Sequence, residues 1–451
     1  MRRAALGALL AGATLPGAAW AHGENPRVTA ILFPAPLKGG PLLVTDTQGV
    51  FGYFGDEPRW LCEDAVAPSA AFVGVAATSA PGGWVVASQA GVYLSTDDAC
   101  SFAPAAGLPG GLVPAALSGH PQRPDELVVA AGEGSAAAPF GVSRSLDAGR
   151  TFAAPDLTAD TPWHSLLRDP AAPERLYLSG GAGAYRSDDA GATWAPIEVA
   201  LPDETIAPGA VYFLSVRPGA GEVWAAVQRV PDTLLLRSTD AGETWHRATS
   251  LPDPVESLVF DATGARAMVA TLFGTVSHSD APEAMWADAP APAPGFGCLT
   301  RGPGDGNEAL YACADAYQGA SWTLARSEDF GRTWQPALTA FQTVTQRWAC
   351  AADTPAALAC ADVCPGQMPG ATCDADGGSG GTDAGPGRED AGADAAGGSR
   401  DAGAGGVDAQ VVGAVGIQPG TCQAAPGRGR VEVALAAGLV CLAAARRRRR
   451  R

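Results

Sequence analysis

One short pattern recurs along this chain and limits the folds open to it. "SLDAGRTF" occupies residues 145–152, "SDDAGATW" 187–194, "STDAGETW" 238–245 and "SEDFGRTW" 327–334. Weaker copies are "STDDACSF" at 95–102 and "SHSDAPEAMW" at 277–286. A seventh, "GVFGYFGDEPRW" at 49–60, aligns with "GVYLSTDDACSF" through its Gly-Val-aromatic start. The closing aromatics fall at 60, 102, 152, 194, 245, 286 and 334, giving spacings of 42, 50, 42, 51, 41 and 48 residues. A period of roughly 40–50 residues is the length of a four-stranded propeller blade.

The segments between copies read as strands. The second repeat runs "AFVGVAATS", "GWVVASQ", "GVYLSTD", "SFAPAA", and the fourth "WHSLLRD", "ERLYLSG", "GAYRSDD", "TWAPIEV". Each is a short apolar or alternating run bounded by Gly, Pro, Asp or Asn. With 58 Gly and 37 Pro in 451 residues, turns are favoured over long helices, and a helical solenoid is excluded. The expected fold is all-β: a seven-bladed β-propeller of four-stranded blades, from about residue 27 to about residue 345.

Within the repeat, each position has a structural task. Ser95, Ser145, Ser187, Ser238 and Ser327, with Asp97, Asp147, Asp189, Asp240 and Asp329, are placed to accept backbone N–H groups two or three residues on. Gly149, Gly191, Gly242 and Gly331 supply positive φ at low steric cost. Thr151, Thr193, Thr244 and Thr333 return the chain to extended geometry, and Phe152, Trp194, Trp245 and Trp334 anchor the turn by burial. Recurrence several times per chain suits a scaffold better than a single active site.

The pattern S-x-D-x-G-x-T-W resembles the Asp-box, or BNR repeat. Residues 27–345 resemble the Asp-box β-propellers, which include sialidases, certain glucanases, sortilin-type receptor domains and photosystem assembly factors. The resemblance implies that each box lies in the turn between the third and fourth strands of a blade, at the rim and away from the axis. Asp147, Asp189, Asp240 and Asp329 are then turn-holders and not catalysts.

The two ends of the chain carry targeting signals. Arg2 and Arg3, the apolar "AALGALLAGATLPGAA" and Ala19-Trp20-Ala21 read as a secretory signal over 1–21, leaving His22 first. The propeller is assigned to 22–348 and a cysteine-rich cap to 349–373. Residues 374–421 are mostly Asp, Ala and Gly without an aromatic, and such a composition reads as a disordered stalk. Residues 422–451 resemble the myxobacterial C-terminal sorting signal: Cys422, an apolar segment at about 431–445, and Arg446–Arg451. That resemblance implies processing near Cys422, membrane association through the tail before processing, and delivery to the cell surface, outer membrane or medium.

Cysteine usage agrees with export. Of ten cysteines, eight lie between Cys62 and Cys373, an even number suited to disulfides. Cys298 and Cys313 flank a Gly-rich turn and read as a hairpin staple; Cys62 is matched with Cys100, and Cys350, Cys360, Cys364 and Cys373 with one another in two small loops. A zinc site lacks a C-x-x-C pair with a nearby His, so no metal is expected. Net charge is −17 even with six terminal Arg, and Lys38 is the one lysine, so the acidic body excludes nucleic acid as a partner. How the ring closes is open: "QTVTQRWAC" at 342–350 either pairs with the first blade or starts the cap.

No catalytic signature stands out. A sialidase-like site, as the resemblance implies it, needs three Arg on a carboxylate, a Tyr nucleophile paired with a Glu, and an Asp acid/base. The family's Arg-Ile-Pro motif is missing; "ILFPAP" at 31–36 has Pro without Arg. Arg123, Arg168, Arg217, Arg266 and Arg301 are candidate arginines, and Tyr177, Tyr212 and Tyr311 read as packing residues. Glu222, Asp169, Glu256, Asp261 and Glu308 lie near strand ends, where a glycosidase would need two carboxylates about 5–10 Å apart. An N-terminal His22 is a copper chelator only with a second His, and His120, His164, His246 and His278 are scattered. The sequence therefore points to a monomeric, cofactor-free, surface-displayed propeller binding a glycan or protein. The alternative is an exo-acting glycoside hydrolase of sialidase-like type. A sorting receptor fits less well, because seven blades are fewer than that family uses.

Overall fold

In the computed structural model, the described residues are 28–32, 42–46, 49–53, 58–67, 71–302 except 136, 138, 230 and 231, and 309–361. The signal, the stalk, the sorting segment, Cys364, Cys373 and Cys422 lie outside them.

These residues form seven sheets, each with four antiparallel strands taken consecutively from one continuous segment. The blades, in chain order, span 28–62, 72–104, 114–159, 163–197, 211–251, 255–290 and 297–338. Their first strands sit side by side around a closed ring, with Val28–Leu32 of blade 1 next to Gly297–Arg301 of blade 7. The fold is the seven-bladed propeller that the period predicts, and the nearly erased first copy is a full blade.

Burial falls from axis to rim, and composition follows it. Second strands such as Leu127–Ala131 (LVVAA) and Ala267–Thr271 (AMVAT) are buried at every residue. They are almost wholly apolar because neighbouring blades cover both of their faces. Third strands such as Gly183–Ser187 (GAYRS) alternate in burial, and fourth strands such as Ala195–Ile197 are mostly exposed. The outer edges carry proline at Pro104, Pro196, Pro290 and Pro336, which withholds a ladder N–H and guards against edge-to-edge pairing.

Closure uses the segment after blade 7. Gln346–Arg347 adds a fifth, parallel strand to blade 1, pairing with Arg59 and Trp60. The Trp348 N–H donates to Trp60 O (2.9 Å), and its indole N–H donates to Asp98 O in blade 2 (2.8 Å). Beyond it, Cys350 bonds to Cys100 and Cys360 to Cys62, across 250 and 298 residues of sequence. This corrects the expected Cys62–Cys100 pair and the two local loops. Cys62 ends the outermost strand of blade 1 and Cys100 lies in the turn before the outermost strand of blade 2, and each takes its partner from the closing segment. The helix Pro355–Ala359, capped by Thr354 and fixed by Ala356 N–H to Cys100 O (3.1 Å), presents Cys360 to blade 1. Cys298 and Cys313 are bonded within blade 7, as their flanking of one turn suggests.

Candidate functional site

The repeated turn is a self-contained hydrogen-bond lock. Ser187 Oγ donates to Asp189 Oδ1 (2.8 Å) and accepts the Gly191 N–H (2.8 Å). Asp189 then accepts the Thr193 N–H (2.8 Å) and hydroxyl (2.6 Å) on its two oxygens. The same four bonds recur at Asp147, Asp240 and Asp329, and at Asp97 with Ser101 in place of Thr and Ala99 in place of Gly. Thr244 and Thr333 thereby hold the carboxyls of Asp240 and Asp329 down at about 2. The copy at 277–286 has a different arrangement: Ser279 Oγ donates to Met285 O and Ser277 Oγ to Asp288.

Two features of the turn were not visible in the pattern. The residue before each glycine is itself left-handed: Ala148, Ala190, Ala241 and Phe330 have φ of 57° to 62°. The glycine also meets the preceding blade. A Cβ on Gly191 would lie 2.8 Å from Val128, and one on Gly331 would lie 2.7 Å from Met268 Sδ. The glycine is therefore needed for space at a blade boundary as well as for backbone freedom.

The locked turns sit at the same end of the propeller as the turns between first and second strands, bonded to them by Ala148 N–H to Asp125 O and Ala190 N–H to Glu174 O. At this end polar groups tie successive blades together. The Ser79 N–H donates to Asp125 (2.9 Å), Arg123 pairs with Glu174 (2.6 Å), Arg186 with Glu243 (2.8 Å) and Arg217 with Glu283 (3.2 Å). Arg266 lies 4.5 Å over the Phe330 ring while pairing with Asp261 (2.9 Å). Three of the five candidate arginines, Arg123, Arg217 and Arg266, are thus ties between blades.

The other two, Arg168 and Arg301, line a small axial cavity where the first strands of blades 4 to 7 end, together with Ser215, Thr300, Leu258 and Phe260. Its volume is about 30 Å³. Arg168 is 3% exposed. Its Nε donates to Ser118 Oγ (3.0 Å) and its Nη1 to Pro173 O (2.5 Å). Burial brings the guanidinium down to about 10, which leaves it charged at neutral pH.

At the opposite mouth, the first strands begin with an irregular step in register: His164 is skipped in Trp163–Arg168 and Glu256 in Val255–Phe260. Such bulges re-aim side chains at barrel and propeller rims. The His164 ring stacks on Tyr212 with centroids 4.1 Å apart, and its Nε2 donates to Val211 O (2.9 Å). That bond puts the proton on Nε2, and burial lowers the imidazole pKa. Burial raises Tyr212, with Glu133 adding to it, and lifts the wholly buried Tyr177 to about 12; burial raises Tyr311 as well. All three hydroxyls are thus held protonated, which disfavours a tyrosinate nucleophile.

The candidate acids are engaged in local structure. Asp169 accepts the N–H groups of Ala171 (2.9 Å) and Ala172 (3.2 Å). Asp261 accepts from Thr263 and Arg266, and Glu222 from Arg217 and Arg237. The Glu256 carboxylate lies where a Cβ on Gly297 would be, 2.1 Å away. Glu308 and His22 are outside the described residues. His120 is buried and its Nδ1 accepts two backbone N–H groups, His278 is half-buried in its strand, and His246 is exposed at a strand start. Among the described residues, no His, Cys, Asp and Glu group is placed to hold a metal ion.

No protein-family model matches the chain, and no curated protein matches it. Solved propellers are similar in fold. A GH74 xyloglucanase from Xanthomonas campestris is 20% identical over 59% of this chain and 45% of its own, with a TM-score of 0.46. The extracellular domain of a putative one component system from B. thetaiotaomicron is 11% identical over 68% and 39%, at 0.49. YCF48 bound to D1 peptide is 16% identical over 60% and 82%, at 0.44. The chain spans less than half the length of the first two. The likeness is one of architecture, and no chemistry passes with it.

Proposed function

We propose that this protein is an exported, surface-displayed binding module: a disulfide-locked propeller that captures a glycan or a protein without turning it over. One observation carries the reading. Asp169, Asp261 and Glu222 each serve a turn or a guanidinium, so these charges stabilise structure and are not set as an acid and base facing a common cleft. Export is supported by the signal-like start and by three disulfides, which suit an oxidising compartment. Display is supported by the stalk composition and by the order of Cys422, apolar segment and arginine cluster. The repeated turn is read as the Asp-box because its Ser, Asp, Gly and Thr all take part in one lock.

The test is hydrolysis of a panel of fluorogenic sialosides and neutral glycosides by the oxidised protein, alongside binding to immobilised glycans. Binding without turnover is expected. Turnover above blank that disappears in Glu256→Gln, a carboxylate at the axial mouth, would replace the binding reading with a glycosidase and identify its substrate class.

A further inference from the structure

Blades 3 and 4 turn from first to second strand in the same way, with one exchange of chemistry. In blade 4 the residue after Trp163–Arg168 is Asp169. Its Oδ1 accepts the N–H groups of Ala171 (2.9 Å) and Ala172 (3.2 Å), and its own N–H donates to Arg175 O (3.0 Å). In blade 3 the residue after Pro114–Gly119 is His120. Its Nδ1 accepts the N–H groups of Gln122 (3.2 Å) and Arg123 (3.1 Å), and its own N–H donates to Glu126 O (2.9 Å). A carboxylate fills this role whenever it is ionised, but an imidazole fills it only while neutral. With Nδ1 accepting, the ring proton is on Nε2. A second proton must go to Nδ1, where it meets two N–H groups. His120 is 2% exposed, so water cannot take over those two donors unless the turn moves.

The same turn ties blade 3 to both neighbours. Asp125 accepts the Ser79 N–H (2.9 Å) and hydroxyl (2.5 Å) from blade 2, and Arg123 pairs with Glu174 of blade 4 (2.6 Å). We infer that His120 is an acid-operated latch: protonation of its Nδ1 frees the turn 120–126 and, with it, the ties from blade 3 to blades 2 and 4. Four charged groups face the ring, Arg123 and Glu126 from its own turn and Arg168 and Glu174 from blade 4. Glu174 Oε1 lies 3.6 Å from Nε2, but Arg123 engages both carboxylates, and Arg144 of the third strand also holds Glu126. Burial first, and then Arg168 and Arg123, lower the imidazole below its ordinary 6.5. In the freed turn the ring regains that ordinary value and binds more protons than in the locked turn, so acid favours release. The latch is independent of the binding reading above: a glycosidase would possess it equally.

The experiment is amide hydrogen exchange of the full, oxidised chain from about pH 8 to about pH 5, each rate taken relative to the intrinsic rate at that pH. Protection at Gln122, Arg123 and Ser79 should fall by about tenfold per pH unit between 6.5 and the lowered value of His120, as one linked proton requires. Ala171 and Ala172, held by Asp169, are the reference within the same molecule and should keep their protection throughout. This comparison needs no variant. His120→Asp then puts the blade 4 residue into blade 3, and His120→Asn keeps an acceptor that does not titrate. In both, protection of the turn should be the same at the two ends of the pH range, which a merely structural role for the ring does not require. Parallel pH profiles for the two turns of the wild type, or an acid loss of protection that persists in folded His120→Asp or His120→Asn, would each overturn the assignment.

Discussion

Cys62, at the end of the outermost strand Pro58–Cys62 of blade 1, is bonded to Cys360, 298 residues later, and receives that sulfur also as acceptor of its own N–H (3.2 Å). The bond therefore closes a loop containing nearly the whole propeller. A cross-link over so long a loop stabilises by restricting the unfolded chain, by about 5–6 kcal/mol in the entropy model. Cys62→Ser/Cys360→Ser should lower the urea midpoint by that scale, and adding Cys100→Ser/Cys350→Ser should lower it further by less than twice, because the two loops are nested. Reduction of the wild type, which also opens Cys298–Cys313, should lower the midpoint at least as far as the quadruple variant. Equal midpoints for oxidised and reduced protein would show that the clasp contributes nothing.

Asp189 joins two strands of blade 4 through Thr193, and its removal leaves a hydroxyl and an N–H to water. Asp189→Ala should destabilise by about 1–2 kcal/mol, in the range of a lost helix cap, since the turn is partly exposed. Asp189→Asn should recover part of this, because its Oδ1 still accepts the Thr193 N–H and its amide nitrogen can donate to the Thr193 hydroxyl, while the charge-assisted strength of the carboxylate is lost. Ligand binding should be untouched in both. A variant of wild-type stability that has lost ligand binding would move this aspartate from the scaffold to the site.

Gly191 and Ala190 are neighbours with similar φ, 88° and 57°, yet they should respond in opposite ways. Gly191→Ala puts a methyl 2.8 Å from Val128 Cγ2 in the preceding blade and should cost about 2–3 kcal/mol. Ala190→Gly relieves a left-handed alanine while freeing the unfolded chain, and the two effects nearly cancel. Thermal melts of the pair separate a packing role from a backbone role: equal losses would mean that contact with blade 3 is irrelevant.

These pairs also show what sequence reading can reach. The blade count, the strand order and the use of Ser and Asp as acceptors in the turn were legible, because each depends on residues within one repeat; the donation from Thr193 to Asp189 was not. Even the worn copy ending at Trp60 kept its Gly-Val-aromatic entry into the third strand, Gly49–Tyr53. What failed was long-range. Cys62 was matched with Cys100 because both sit in the opening blades, but ring closure sets the closing segment against both, and nothing local to either cysteine records that. The axial residues were hidden for a similar reason. Arg168 and Arg123 are alike as letters, and only the fold buries the first against Ser118 and Pro173 while Arg123 crosses to Glu174. The skipped positions at His164 and Glu256 arise from inner-strand curvature, which no alternation of apolar residues encodes.

The locked aspartates should also govern acid stability. In the folded protein Asp240 and Asp329 titrate at about 2, held there first by the Thr244 and Thr333 hydroxyls, against 3.8 for a free aspartate. A depressed folded value means that the unfolded chain takes up protons first. Their contribution is therefore complete above about pH 4 and is lost as pH falls from about 4 to about 2. His120, His164 and His278 act over a separate window. Burial lowers each below 6.5, so the unfolded chain gains protons that the folded chain refuses, and stability declines as pH falls through 6.5. Denaturation midpoints taken from pH 8 to pH 2 should thus show a shallow decline followed by a steep one. Thr244→Val and Thr333→Val remove only the hydroxyl donors, so they should flatten the steep limb and leave the shallow one unchanged. An acid limb identical to wild type in the double variant would detach the aspartates from acid unfolding and leave the other carboxylates, such as Glu126 and Glu174, to account for it.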